Sequence, residues 1–241
     1  MSLQDLTLVS SDSKASGIKI KSAIEDCWTP PDNYYHLRNG GHVAAMKAHC
    51  SNTCFIHLDI KNFFGAINKS RVTRCLKRHF GYSDARLIAR ESTVKHPTNP
   101  KKYILPFGFV QSPIIASICL FKSSLGKHLN KLSFTKDVVV SVYMDDIIIS
   151  MEDEDMADDI LCEVKCAADK SRLPLNEIKE EGPADQVTAF NINLSHKNLK
   201  IDDVRLSEFI DNFTLSGNDA QRKGIRQYIK SVNTDQSQKL V

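Results

Sequence analysis

No run of apolar residues in this 241-residue chain approaches the roughly 20 needed to cross a bilayer, so no helical membrane span is expected. The opening MSLQDLTLVSSDSK also lacks the basic and apolar regions of a secretory leader, and we expect a cytoplasmic protein with no membrane partner. CxxC spacing is absent as well. The seven cysteines, Cys27, Cys50, Cys54, Cys75, Cys119, Cys162 and Cys166, are odd in number and are read as reduced thiols, small side chains suited to a core. Cys50 and Cys54 beside His49, and Cys162 with Cys166, each lack the second ligand pair that a zinc site requires. Charge of one sign is scarce too. A formal net charge of +3 means that any binding of nucleic acid must come from a local groove. What the chain does have is 41% hydrophobic residues, enough for a core without disulfides or a structural metal.

Residues 1–17 are rich in Ser, Asp and Lys without a sustained apolar period, and are expected to be loosely ordered or dependent on a partner. Turn signals at 28–32 and 39–41 follow, the second ahead of a helix over 42–49. Residues 54–60 read as a buried strand with Asp59 at its end, and 70–80 as a helix. After a loop at 105–108, Ser112 and Pro113 open a helix expected to run over 114–132, with proline in its first turn and the small Ala116, Ser117, Ser123 and Ser124 allowing close packing. Two β-branched strands, 138–143 and 147–150, flank a tight turn. Acidic residues 152–155 precede a helix over 156–171 and complement its dipole. The alternation over 187–194 indicates a small sheet. The tail, 205–232, is helical with a break at 216–217, and its Arg222, Lys223, Arg226 and Lys230 form either a phosphate-facing cluster or a solvated face.

Two adjacent aspartates, Asp145 and Asp146, sit inside an otherwise apolar hairpin. A charge withdrawn from water costs several kcal/mol, roughly, unless it is paired or bound to metal. No Lys or Arg occurs within 138–150, so the compensating charge comes from elsewhere in the fold or from a divalent cation, and hard oxygen ligands favour magnesium or manganese. Asp59 is a third carboxylate isolated at an apolar strand end. Convergence of the three would meet the needs of two-metal phosphoryl transfer.

Over most of its length the chain resembles the reverse transcriptases, especially the compact prokaryotic ones of retrons and phage-defence systems. Leu58-Asp59-Ile60-Lys61-Asn62-Phe63-Phe64 is similar to the family's first catalytic motif and Tyr143-Met144-Asp145-Asp146 to its second, with Leu105-Pro106-Phe107-Gly108 and Ser112-Pro113 similar to the loop between them. The resemblance implies an α+β fold: a right-hand polymerase palm, an antiparallel sheet with packed helices, with truncated fingers and a short helical thumb. Residues 1–50 would be the reduced fingers, 51–195 the palm and 196–241 the thumb-like region. It implies an RNA-directed DNA polymerase with an RNA template, deoxynucleotides and a DNA product, using Mg2+ or Mn2+ held by Asp59, Asp145 and Asp146 and by the Ile60 carbonyl. Phe64 would be a steric gate against the 2′-hydroxyl, with ordinary core packing as the alternative. Phe107 and Gly108 would line the substrate side, although Phe107 stands where many relatives carry glutamine. Tyr143 would support the primer end or pack in its strand. Lys179, after Leu175-Asn176, would protonate the departing pyrophosphate or else pair with Glu180 and Glu181. His42 to His49 resembles a short helix that precedes the first motif and puts Arg38 and Lys47 near the nucleotide, both histidines being read as structural.

The basic fingers strands of the family are hard to find here, with Arg38 as a substitute cation, and the thumb is short. A noncoding RNA or a companion protein subunit would then complete the surface, and the resemblance suggests a role in antiviral defence. Two other readings stand beside it: template-independent or protein-primed DNA synthesis on the same palm, and a non-catalytic RNA-binding or scaffold subunit.

Overall fold

The computed structural model describes residues 11–240. Along the chain lie α1 (Ser11–Cys27), α2 (Gly41–Ala48), β1 (Cys54–Asp59), α3 (Phe63–Ala66) and α4 (Lys69–Glu91). A hairpin of β2 (Val94–His96) and β3 (Asn99–Ile104) leads to α5 (Ser112–Phe121), α6 (Ser124–Leu132), β4 (Val138–Tyr143), β5 (Asp146–Met151) and α7 (Ala157–Ser171). After β6 (Glu181–Ala184) come β7 (Gln186–Ala189), β8 (Ile192–Ser195) and β9 (Asn198–Ile201), then α8 (Asp203–Leu215), α9 (Asp219–Val232) and α10 (Thr234–Ser237).

The expected α+β class holds: an antiparallel sheet of order β4-β5-β1-β6 carries packed helices. Every residue of β1 is buried, because both faces of the sheet are covered. Alternation along a strand divides its side chains between those faces. Cys54, Ile56 and Leu58 of β1, with Ile147, Ile149 and Met151 of β5, enter the larger core, built with the apolar sides of α1 and α4 to α7. Phe55 and Ile148 point the other way, into a smaller core with β7 to β9, α8 and α9. β6 approaches β1 so closely at Gly182 that a Cβ there would lie 2.1 Å from the Phe55 carbonyl oxygen, and its φ of +87° suits glycine.

Several expectations are corrected. Residues 11–17 are helical, because α1 extends to Cys27 and docks Ile20 and Ile24 into the core; residues 1–10 lie outside the described residues. The helix expected over 114–132 is two helices, since Ser123 is an N-cap, its side chain accepting the Gly126 N–H. The helix of 70–80 continues to Glu91 past Gly81, whose φ of 75° and ψ of 173° bend it. A basic hairpin, β2–β3, was not foreseen. Among the described residues, no helix is long and apolar enough to cross a membrane.

Candidate active site

One face of the sheet carries the polar residues. Across β1, β5 and β4 the register aligns Phe55, Ser150 and Val139, then His57, Ile148 and Ser141, then Asp59, Asp146 and Tyr143. His49, just after α2, is fully buried against this face, with Nδ1 2.7 Å from Ser150 Oγ and Nε2 2.8 Å from Ser141 Oγ. Asn52 Nδ2 donates to the same Ser150 oxygen at 2.8 Å. Burial pushes the His49 pKa down to about 3, so the ring is a neutral bridge between β4 and β5.

The acidic residues stand at the open end of this face. Asp59 closes β1 directly opposite Asp146, an adjacency of like charges that a sheet does not favour by itself. Asp145 occupies the β4–β5 turn, where Met144 has a φ of 60° and Asp145 does not share the positive value, the type II′ pattern. The turn is tied to β1 by Ile60 N–H donating to the Asp145 carbonyl at 2.8 Å. Residues 174–176 cross the same strand end: Lys61 N–H donates to the Pro174 carbonyl at 2.9 Å and Asn176 N–H to the Asp59 carbonyl at 2.8 Å.

This crossing delivers Lys179. Its Nζ lies 2.9 Å from Asp59 Oδ2, while Asn176 Nδ2 donates to Oδ1 of the same carboxylate at 3.1 Å. Pairing of Lys179 with its neighbours does not occur, because Glu180 accepts from Lys165 at 2.6 Å and Glu181 from the Thr188 N–H at 2.6 Å. The hydrogen bond to Asp59, aided by the charge of all three aspartates, raises the lysine pKa above its ordinary value. Asp146 Oδ1 meets His57 Nε2 at 2.9 Å, and the other ring nitrogen of His57 is buried without a partner.

The charges of three carboxylates thus act on one lysine, which contacts Asp59 alone. Burial raises the Asp145 pKa above the usual carboxylate range, and the charges of Asp146 and Asp59 raise it further. An added cation would relieve this crowding of negative charge at the turn. Among the described residues no three acidic, histidine or cysteine side chains already form a metal cage. The expected convergence is therefore one of adjacent backbone positions: Asp59 is turned toward Lys179 and Asn176, and Asp146 toward His57. The donor set nevertheless fits Mg2+ or Mn2+, being hard carboxylate oxygen in surplus over positive charge. No backbone N–H of the described residues donates to the Ile60 carbonyl.

Phe64 packs edge-on to Phe107 at 5.8 Å and beside Phe63 at 5.6 Å. Phe107 is exposed, and Gly108 follows it with a φ of +94°. Tyr143 lies in an aromatic group with His36 at 5.8 Å, His42 at 6.0 Å and Phe190 at 5.2 Å, and His42 Nε2 is 3.1 Å from the Tyr228 hydroxyl of α9. Arg38 does not serve as a free cation, since its guanidinium donates to the Asp32 carbonyl and stacks 5.2 Å from the Tyr35 ring.

Sequence reasoning missed His36. Its Nδ1 accepts the Met144 N–H at 3.0 Å, so Nε2 carries the proton of the neutral ring and donates to Ser117 Oγ at 2.6 Å, which donates to the Pro113 carbonyl at 2.8 Å. Burial lowers its pKa to about 4. A chain of hydrogen bonds thereby braces the turn against α5. His57 was missed as well, although a histidine inside an apolar strand was a visible signal.

A family model described as reverse transcriptase (RNA-dependent DNA polymerase) matches residues 4–194. No curated protein matches the chain. Among solved structures, telomerase from Candida albicans, in complex with a TWJ fragment of telomeric RNA, superposes at a TM-score of 0.57 with 9% identity, covering 98% of this chain and 48% of that one. Apo telomerase from Candida tropicalis gives 0.53 with 10% identity, covering 95% of this chain and 50% of that one. The chain spans about half the length of these structures, and at such identity the likeness is one of fold.

Proposed function

The chain belongs to the reverse transcriptase family, and from that premise we propose that it is an RNA-directed DNA polymerase whose reaction centre is Asp59, Asp145 and Asp146. The observation that carries the proposal is the register of Asp59 opposite Asp146 beside the Asp145 turn, three carboxylates answered by the single ammonium of Lys179. The three aspartates, with the Ile60 carbonyl, would hold Mg2+ or Mn2+, which when bound activates the 3′-hydroxyl and neutralises charge on the departing pyrophosphate.

The chain's own residues do the rest. Lys179, held against the triad by Asp59, gives a proton to the pyrophosphate leaving group. Phe64, braced by Phe107, stands beneath the sugar and clashes with a 2′-hydroxyl, a repulsive element that selects deoxynucleotides. Gly108 keeps that loop free of a side chain, and Tyr143 supports the primer end. His36 and His49 fix the turn and the strands beneath it, so that the carboxylates are positioned before substrate arrives.

In this reading 1–50 is a reduced fingers region, 51–195 the palm and 196–241 a short thumb-like region. The resemblance of its motifs suggests an enzyme of the prokaryotic, retron-like type, working in the cytoplasm in antiviral defence with a noncoding RNA or a companion subunit. Cysteines that are all unpaired among the described residues are consistent with a reducing compartment. Primer extension on an RNA template with deoxynucleotides and Mg2+ tests the proposal. Template-complementary DNA from the wild type and none from Asp59→Asn is expected; product of simple sequence unrelated to the template would move the assignment to template-independent synthesis.

A further inference from the structure

Residues 69–104 hold ten Lys or Arg against two carboxylates, Asp84 and Glu91, a surplus of eight in a chain whose net charge is +3. Six of the ten, Lys69, Arg74, Lys77, Arg86, Lys101 and Lys102, line two adjoining hollows. Lys69, Thr73 and Lys77 recur every fourth residue on α4, a row about 12 Å long at ~1.5 Å per residue, with Ser70 and Arg74 beside it. The bend at Gly81 turns the second arm of the helix back, so that Tyr82 and Arg86 form the other wall of a notch of about 400 Å³. A second hollow of about 560 Å³ shares Lys69 and Ser70 and continues across Lys101 and Lys102 of β3 to Asn62 and Gly65, next to Phe64. Lys69 Nζ stacks 4.2 Å from the Tyr103 ring and ties the two hollows together.

None of Lys69, Arg74, Lys77, Arg86, Lys101 or Lys102 takes part in an ion pair among the described residues. The tail cluster differs. There Arg222 and Arg226 stack on Phe213 at 4.6 and 5.0 Å, and Arg226 donates to the Leu240 carbonyl at 3.3 Å. On α4, Arg71 donates to the Ser171 carbonyl and Lys69 stacks on Tyr103, while Arg74, Lys77 and Arg86 have neither an ion pair nor a side-chain hydrogen bond among the described residues. Tyr82 adds a large aromatic that is 64% exposed in the middle of it. A fixed row of unpaired cations with an exposed ring among them matches a phosphodiester backbone carrying a base that can stack.

We propose that the α4 face and the β2–β3 hairpin form a binding groove for a single-stranded segment of RNA, held by its backbone through Arg74, Lys77 and Arg86 and by one base stacked on Tyr82. This deepens the polymerase reading by naming where its RNA docks, and it continues from the site past Gly65 and Lys101. The commitment is to a polynucleotide over an acidic protein because the cations line two adjoining hollows and an exposed aromatic, Tyr82, lines the first of them.

The test is fluorescence anisotropy of a labelled 20-nucleotide single-stranded RNA with the full chain in EDTA, so that synthesis plays no part, over a range of salt. The triple change Arg74→Glu, Lys77→Glu, Arg86→Glu is expected to weaken binding roughly a hundredfold at 0.1 M salt and to make the slope of log K against log salt shallower by about 2, at ~0.7 per phosphate lost. The corresponding glutamine variant, which removes charge without repulsion, moves in the same direction with unchanged thermal melting. Tyr82→Ala loses roughly tenfold for the single strand and little for duplex RNA. Variants that bind like the wild type with the same slope overturn the proposal, as does poly-glutamate displacing the RNA at equal charge, or tighter binding of DNA of the same sequence. RNA binding through this face by a chain that makes no DNA would support the groove while ending the polymerase reading.

Discussion

Lowering the pH from 7.5 to 5 should remove about 2 kcal/mol of stability through one residue, His49. Its ring is fully buried between Ser141 and Ser150, with a pKa pushed down to about 3 against an ordinary value of 6.5. As pH falls, the unfolded chain takes up the proton first, so stability is lost from about pH 6.5 downward and the loss levels off near pH 3. At pH 5 the unfolded ring lies about 1.5 units below its pKa while the folded ring stays neutral, and at ~1.4 kcal/mol per unit this gives the 2 kcal/mol. Urea denaturation of wild type and His49→Gln at pH 7.5, 6 and 5 measures it. Glutamine leaves one serine without its partner and should cost about 1–3 kcal/mol at pH 7.5, but the cost should shrink by about 2 kcal/mol at pH 5. Parallel pH profiles for the two proteins would refute the neutral buried bridge.

His57→Ala leaves the Asp146 carboxylate without its orienting partner, and the Mg2+ concentration for half-maximal synthesis should rise about 10- to 100-fold, a change that loss of fold alone would not produce in a normally melting variant. Lys179→Gln should lower kcat by about a hundredfold or more in single-turnover extension while the metal requirement does not increase, because a competing cation has left Asp59. For Phe64→Ala, incorporation of a ribonucleotide relative to the matching deoxynucleotide should rise by about tenfold or more in kcat/KM; an unchanged ratio would return Phe64 to ordinary core packing.

The triad was legible because β1, β4 and β5 are largely buried and so read as mostly apolar runs in which Asp59, Asp145 and Asp146 stand out. The α5 start was equally clear from Pro113, which occupies the first turn. Lys179 was ambiguous in sequence, since its choice between Asp59 and the adjacent glutamates depends on residues 174–176 crossing β1, a contact between segments more than a hundred residues apart. Residues 11–17 of α1 read as loosely ordered or dependent on a partner because the side chains that dock the helix, Ile20 and Ile24, come after them. The β2–β3 hairpin has no alternation to detect: its strands face solvent and include Pro100 and three lysines, Lys95, Lys101 and Lys102. His36, His49 and His57 act through partners from 81 to 108 residues away, and local pattern carries no trace of such pairs.

The most direct measurement is to incubate the purified chain, with any RNA that copurifies, with labelled deoxynucleotides and Mg2+, beside an Asp145→Ala, Asp146→Ala double variant, and to sequence what is made. DNA complementary to an RNA from the wild type, and none from the variant, is the predicted result. Equal product from both proteins, or none from either with its RNA present, would contradict an acidic centre that performs RNA-directed DNA synthesis.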